Sequence, residues 1–202
     1  KVENFQFGSR MEPTLDPRLV DFMEALHDSS VQPQRSIVLQ TNAILLHRHD
    51  ANRMVAAGLT DIQVSIDTIN AKVFASLRGG AKLDKVLRNI RGFSEQFPDV
   101  GIKFIVTVAK SNYPYVEDLV EFGAEIGAKA VIVREMFHTP GAAAHMDDDT
   151  MARLVLDDGA FGVLADRLKT RFSHLLTVNC IDAKGVRGYS AGVQAHSYQS
   201  NH

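Results

Sequence analysis

Residues 83–133 read LDKVLRNIRGFSEQFPDVGIKFIVTVAKSNYPYVEDLVEFGAEIGAKAVIV, and this stretch decides the fold class. Leu83, Val86, Leu87, Ile90, Phe93 and Phe97 recur at helical spacing until Pro98 stops them. Residues 102–108 follow as a nearly unbroken apolar, β-branched run, which suits a parallel strand buried on both faces. Val116, Leu119, Val120 and Ile126 return to the helical period, with Gly127 as the C′ residue, before a second strand-like run at 130–133. A helix joining two such strands implies a right-handed crossover and a parallel pair.

The same alternation extends outward in both directions. Strand-like runs occupy 3–7, 36–40, 62–66 and 175–178. Asp16-Pro17 reads as an N-cap followed by proline at the first position of a helix carrying Leu19, Val20, Phe22, Met23 and Leu26. Asp50 caps a short helix bearing Met54 and Val55, which Gly58 ends. Leu154, Phe161, Leu164, Leu168 and Phe172 complete the helical set, with Gly159 and Gly162 obscuring where that segment starts. About six strand–helix units predict an α/β fold: a partial (β/α) barrel of parallel strands in sequential order, TIM-barrel-like. A doubly wound sheet is the alternative that periodicity leaves open. Residues 1–182 form the expected core, and the polar, aperiodic residues 183–202 an expected tail, disordered or truncated.

At 202 residues and 45% hydrophobic content the chain can bury one full core. A formal net charge of −2 with 23% charged residues gives no basic excess for a nucleic-acid backbone or an anionic membrane. Apolar stretches of about six residues fall far short of the ~20 needed to span a bilayer. Cys180 is the single cysteine, so an internal disulfide is excluded and a reducing, cytoplasmic setting is expected. One cysteine also cannot supply a four-cysteine zinc site or the thiolates of an iron–sulfur cluster. The chain opens Lys1-Val2-Glu3, without an initiator Met or signal-peptide pattern, and is expected to be a piece of a longer protein.

Ligands of parallel α/β sheets bind where the carboxyl ends of the strands converge. The residues there are Gly8, Ser9 and Glu12; Thr41 and Asn42; Ser65 and Asp67; Lys110 and Asn112; Arg134 and Glu135; and Asn179 and Asp182. Donors, acceptors and both charge signs suit a polar, zwitterionic small molecule.

These positions also carry a family resemblance. Phe5-Gln6-Phe7-Gly8-Ser9-Arg10-Met11-Glu12-Pro13-Thr14-Leu15-Asp16-Pro17 resembles the second-strand motif of radical S-adenosylmethionine (radical SAM) enzymes, typically Gly-Gly-Glu-Pro-Thr-Leu-x-Pro. Leu39-Gln40-Thr41-Asn42-Ala43 is similar to their third-strand Thr-Asn-Gly end. Val64-Ser65-Ile66-Asp67-Thr68 with Phe74-Ala75-Ser76-Leu77-Arg78-Gly79-Gly80 resembles the fourth strand and the segment after it, and Leu87-Arg88-Asn89-Ile90 the next helix. Val106-Thr107-Val108-Ala109-Lys110-Ser111-Asn112 resembles the fifth strand, and Ile126-Gly127-Ala128 with 131–136 the step into the sixth. The order holds over residues 2–136, and five pieces in register are more specific than any one.

The resemblance implies S-adenosylmethionine as cofactor and a [4Fe-4S] cluster in the longer protein, and it extends to enzymes of the peptide-modifying, SPASM-associated kind. The implied activity is reductive cleavage of S-adenosylmethionine to a 5′-deoxyadenosyl radical that abstracts hydrogen from a peptide or small-molecule substrate. It implies Glu12 as receiver of the methionyl ammonium group, an acceptor-only role that fits a carboxylate. It implies Asn42, Ser65 and Asp67 as strand-end positions facing the cofactor, Arg78 as a carboxylate fork and Arg134 near the substrate or methionyl group. Two features depart from the family pattern. Arg10 and Met11 stand where the motif has glycines, and the Cys-x3-Cys-x2-Cys loop after the first strand is absent, as is that strand.

Two other functions compete with this one. A cluster-less, non-catalytic module binding S-adenosylmethionine or a partner would tolerate Arg10 and Met11. A metal-dependent barrel hydrolase would use His47 and His49 of His47-Arg48-His49-Asp50. His138, His145 and Asp147-Asp148-Asp149 sit in a glycine- and alanine-rich connection, where acidic residues favour a helix N-terminus. An open sheet edge beside residues 3–7 invites pairing with another chain.

Overall fold

A computed structural model describes residues 2–8, 11–30, 33, 35–137 and 147–185. Ser9, Arg10, His138, His145 and residues 186–202 of the expected tail lie outside the described residues. In chain order the elements are β1 (Asn4–Phe7), α1 (Leu19–His27), β2 (Ser36–Thr41), α2 (Ala51–Ala56), β3 (Leu59–Ser65), α3 (Ala71–Leu77) and α4 (Leu83–Gln96). They continue with β4 (Gly101–Val108), α5 (Val116–Glu125), β5 (Ala130–Glu135), α6 (Asp148–Leu154), α7 (Ala160–Phe172) and β6 (Thr177–Ile181). All neighbouring strands pair in parallel, in the order β1-β2-β3-β4-β5-β6. That order removes the doubly wound alternative, whose strand sequence must reverse at a switch point. It is the strand order of a (β/α) barrel.

Register gives the sheet two unlike faces. Leu39, Ile62 and Ile102 pair in line, as do Val64, Phe104 and Val131, and Val106 with Val133. These residues pack with Met23, Met54, Ile90, Leu119, Leu164 and Leu168 of the helices in one buried core. Each such side chain contributes about 1.5–3 kcal/mol of transfer free energy. Gly123 of α5 allows the close helix–sheet approach there, since a Cβ would lie 3.3–3.4 Å from Val131 and the Phe104 ring. Strand side chains alternate faces, so Gln40, Gln63 and Lys103, then Ser65 and Ile105, then Thr107 and Arg134 share the opposite face. There Gln6 Nε2 donates to Gln40 Oε1 at 2.6 Å, and Lys103 pairs with Asp61 at 2.8 Å.

Three local expectations need correction, and one helix, α3, has no signal in the sequence. Helix α1 begins at Leu19, not at Pro17, because Asp16-Pro17-Arg18 is spent on a tight turn in which Leu19 N–H donates to the Asp16 carbonyl. Helix α3 has no apolar stripe to announce it, Phe74 being its one buried residue. Asn70 starts it by accepting from the N–H groups of Lys72 and Val73. The segment after residue 147 is two helices, separated before Gly159, whose φ of +80° an L side chain would resist. Strand β6 starts at Thr177: Leu176 is buried in the core cluster, whereas Leu175 is exposed, so their apolar character does not mark a strand. Among the described residues no helix is long and apolar enough to cross a membrane. Strands β1 and β6 are the two edges of the described sheet.

Candidate functional site

The chain leaves β1 through Gly8, at φ +90°, where a Cβ would collide with the Gln40 carbonyl oxygen of β2. Only glycine lets the two strand ends approach so closely. The chain then enters a 3-10 helix, Pro13–Leu15, with Glu12 as its cap. Glu12 Oε1 accepts from Thr14 N (3.1 Å), Thr14 Oγ1 (2.6 Å) and Thr41 Oγ1 (2.6 Å), and Oε2 accepts from Asn42 N (2.7 Å). One carboxylate thereby fastens the 3-10 turn to the end of β2. Thr14 and Thr41 are both buried, at 2% exposure, so their hydroxyls depend on protein partners.

The β2 end is shaped by its own side chains. Thr41 Oγ1 accepts from Ala43 N (3.0 Å) and Asn42 Oδ1 from Ile44 N (2.9 Å). Ala43 has φ +59°, and Asn89 of α4 holds its carbonyl with a 2.8 Å bond. The resemblance places a glycine at this left-handed position.

At the β3 end, Arg78 Nη2 donates to Asp67 Oδ2 (2.6 Å) and to the Ser65 carbonyl (3.3 Å). Asp67 Oδ1 accepts from Thr107 N (3.0 Å), which ties Asp67 to β4. Asn112, fully buried, closes the joint: its Nδ2 donates to the carbonyls of Asp67 and Thr107 (2.8 Å each), and its Oδ1 accepts from Ala109 N (2.7 Å). Asp67 and Asn112 thus brace the guanidinium of Arg78 from behind.

Glu12, Asn42, Ser65 and Arg78 line one cavity of about 200 Å³, with Met11, Gln40 and Thr41. Four of the six expected site residues therefore meet. Asp67 stands behind Arg78, and Arg134 lies elsewhere, in a cavity of about 450 Å³ with Lys169, Asn179 and Cys180. Burial pushes the Cys180 thiol above its ordinary value. Met11, a position the family pattern fills with glycine, is 82% exposed and lines the Glu12 cavity. Sequence reasoning misses Gln40 and Thr14. The available signal for Gln40 is its parity with Val38 and Asn42; nothing local marks Thr14 as a partner of Glu12. Beside the site, bonds from Arg18 lower the Asp16 carboxyl to about 2.

The metal-hydrolase alternative expects His47 and His49 at a strand-end site. His47 and His49 line neither strand-end cavity, and among the described residues no three His, Cys, Asp or Glu are placed to hold a metal ion.

A sequence profile of the Radical SAM superfamily matches residues 4–123. A "Probable GTP 3',8-cyclase" of Metallosphaera sedula is 31% identical over 117 residues, which are 57% of this chain and 35% of that protein. Mycofactocin maturase MftC of Mycolicibacterium smegmatis is 28% identical over 139 residues, 68% of this chain and 33% of its own length. The chain thus spans about a third of the curated relatives it matches. The crystal structure of Streptococcus suis SuiB superposes with a TM-score of 0.62 at 15% identity, over 89% of this chain and 38% of SuiB, a likeness of fold.

Proposed function

The chain belongs to the Radical SAM superfamily, and from that premise we propose that its β1–β3 ends hold the amino-acid end of S-adenosylmethionine in a radical SAM enzyme. The observation that carries this reading is the meeting of Glu12, Asn42, Ser65 and Arg78 around one cavity. The donor set fits that part of the cofactor. Glu12 Oε2 accepts a bond from Asn42 N at 2.7 Å, and a carboxylate oxygen has room for a further donor such as an ammonium group. Arg78 brings a cationic fork, pre-aimed by Asp67, for the carboxylate. About 200 Å³ is below the ~300–1,000 Å³ of sites that enclose a whole ligand of this size, so these residues account for the amino-acid end alone. Bound S-adenosylmethionine would supply the source of a radical for hydrogen abstraction from substrate.

A [4Fe-4S] cluster does not fit the residues present. It needs cysteine thiolates, and this chain has Cys180 alone. Its ligands would have to come from outside these 202 residues. The substrate in this reading is a peptide or a small molecule. Both classes occur among similar proteins: one SuiB structure holds precursor peptide SuiA, and GTP 3',8-cyclases are relatives in sequence.

A second reading, a non-catalytic module that binds S-adenosylmethionine or a partner, is favoured by the internal bonds that already occupy Glu12. Titration calorimetry tests the binding claim. S-adenosylmethionine and free methionine should compete for one site, and Arg78→Ala should weaken both at least tenfold. Absence of heat, or wild-type affinity in both Arg78→Ala and Glu12→Gln, would remove the assignment.

A further inference from the structure

Outside the strand-end site, the 3-10 helix Leu46–Arg48, the start of α2 and one face of α4 enclose a cavity of about 560 Å³. This is the size of a small-molecule site, larger than the Glu12 cavity. Its wall includes Leu46, His47, His49, Arg88, Asn89 and Phe93. The one carboxylate on it, Asp50, is engaged in capping α2 through Arg53 N.

Three features of this cavity have no explanation within the chain. Among the described residues, Arg48 and Arg88 are the two arginines without a hydrogen bond, ion pair or ring contact; Arg88 lines the cavity, and Arg48 sits in the chain between its wall residues His47 and His49. Every other described arginine is engaged. Lys85 adds a third cation close enough, with Arg48, to act on His47. Finally, Gly92 interrupts the middle of α4 on the cavity wall, where a Cβ would meet nothing within 4 Å. Glycine is the poorest helix former after proline, and here neither a turn nor a close internal neighbour requires it. An exposed helical glycine beside uncompensated guanidinium groups is the arrangement that lets a ligand lie against backbone.

We infer that the α2–α4 cavity binds a small organic anion, a phosphate or carboxylate, held by the Arg88 guanidinium and His47, with Arg48 and Lys85 adding positive charge close to His47, its body resting on Gly92 and Phe93. His49 takes the neighbouring wall, its Nε2 donating to the Thr14 carbonyl at 3.0 Å. Asn89, whose Nδ2 lies 3.3 Å from His47 Nδ1, fixes that ring. The site is separate from the strand-end cavity and does not depend on the cofactor assignment.

The test is a histidine-ring NMR titration of the 202-residue chain with inorganic phosphate and, in parallel, acetate, against sodium chloride at equal ionic strength. The His47 resonance is assigned with a His47→Gln variant. Burial, then Lys85 and Arg48, hold the His47 pKa below its ordinary value, so a bound anion should move it upward. The expected result is a saturable shift with phosphate or acetate, whichever class the site takes. Arg88→Gln and, independently, Gly92→Val should each weaken it at least tenfold. Both positions are exposed, so folding should survive, with circular dichroism as the check. Shifts matched by chloride, no saturation with either anion, or wild-type binding in both variants would overturn the proposal.

Discussion

Replacing Glu12 by alanine should unsettle the protein well before any ligand is considered. The carboxylate accepts from Thr14 N, Thr14 Oγ1, Thr41 Oγ1 and Asn42 N. Bonds to a charged acceptor contribute about 1.5–3 kcal/mol each in isolation, but four on one part-exposed carboxylate are not additive. A sounder figure comes from the donors left behind. Thr14 and Thr41 are each 2% exposed, and each hydroxyl loses its acceptor, at about 1–3 kcal/mol per buried group. Allowing for partial reorientation, Glu12→Ala should cost about 2–4 kcal/mol. Glu12→Gln keeps a carbonyl oxygen at the Oε1 position and turns an NH2 toward Asn42 N–H, a loss of about 1–2 kcal/mol. In urea unfolding with a slope of about 2 kcal/mol/M, the midpoint should fall by about 1–2 M for alanine and about half that for glutamine. A midpoint for Glu12→Ala within about 0.2 M of wild type would refute the fastening role of this carboxylate.

Other expectations rest on the same kinds of contact. Gly8→Ala should destabilise by about 1–3 kcal/mol or more, since φ +90° and the Gln40 carbonyl both oppose a side chain; thermal unfolding reads it. Asn112→Ala should cost about 2–4 kcal/mol, because Ala109 N–H and two carbonyls lose a fully buried partner, and should weaken S-adenosylmethionine binding in parallel through Asp67 and Arg78. Because desolvation and neighbouring cations depress the His47 pKa, the unfolded chain binds more protons below the ordinary value of 6.5. The His47 contribution to stability is therefore full above that pH and lost as pH falls toward the folded-state pKa. In urea midpoints measured across that pH range, His47→Gln should flatten this part of the profile.

The barrel-type strand order is legible in sequence because residues 102–108 and 130–133 are nearly unbroken apolar runs and the α4 stripe between Leu83 and Phe93 is regular. Helix α3 is hidden, since burying Phe74 alone leaves no period to detect. Strand β6 is displaced from its apolar run because Leu175 and Leu176 belong to the turn leaving α7, while the strand itself, at an edge, alternates exposed and half-buried residues. At the site, Glu12, Asn42, Ser65 and Arg78 can be chosen from their strand-end places. The Glu12–Thr41 bond cannot, because the two lie 29 positions apart and only the parallel pairing of β1 with β2 brings them together. Asp67 has the sequence position of a ligand-facing residue, but sequence cannot show that Arg78 and Thr107 N already occupy it.

The most direct test of the strand-end assignment is an amide NMR map of the 15N-labelled chain titrated with S-adenosylmethionine. The expected result is a saturable set of shifts centred on Thr14, Asn42, Ser65 and Arg78. Shifts that are absent, or that gather instead around His47 and Arg88 in the α2–α4 cavity, would contradict it.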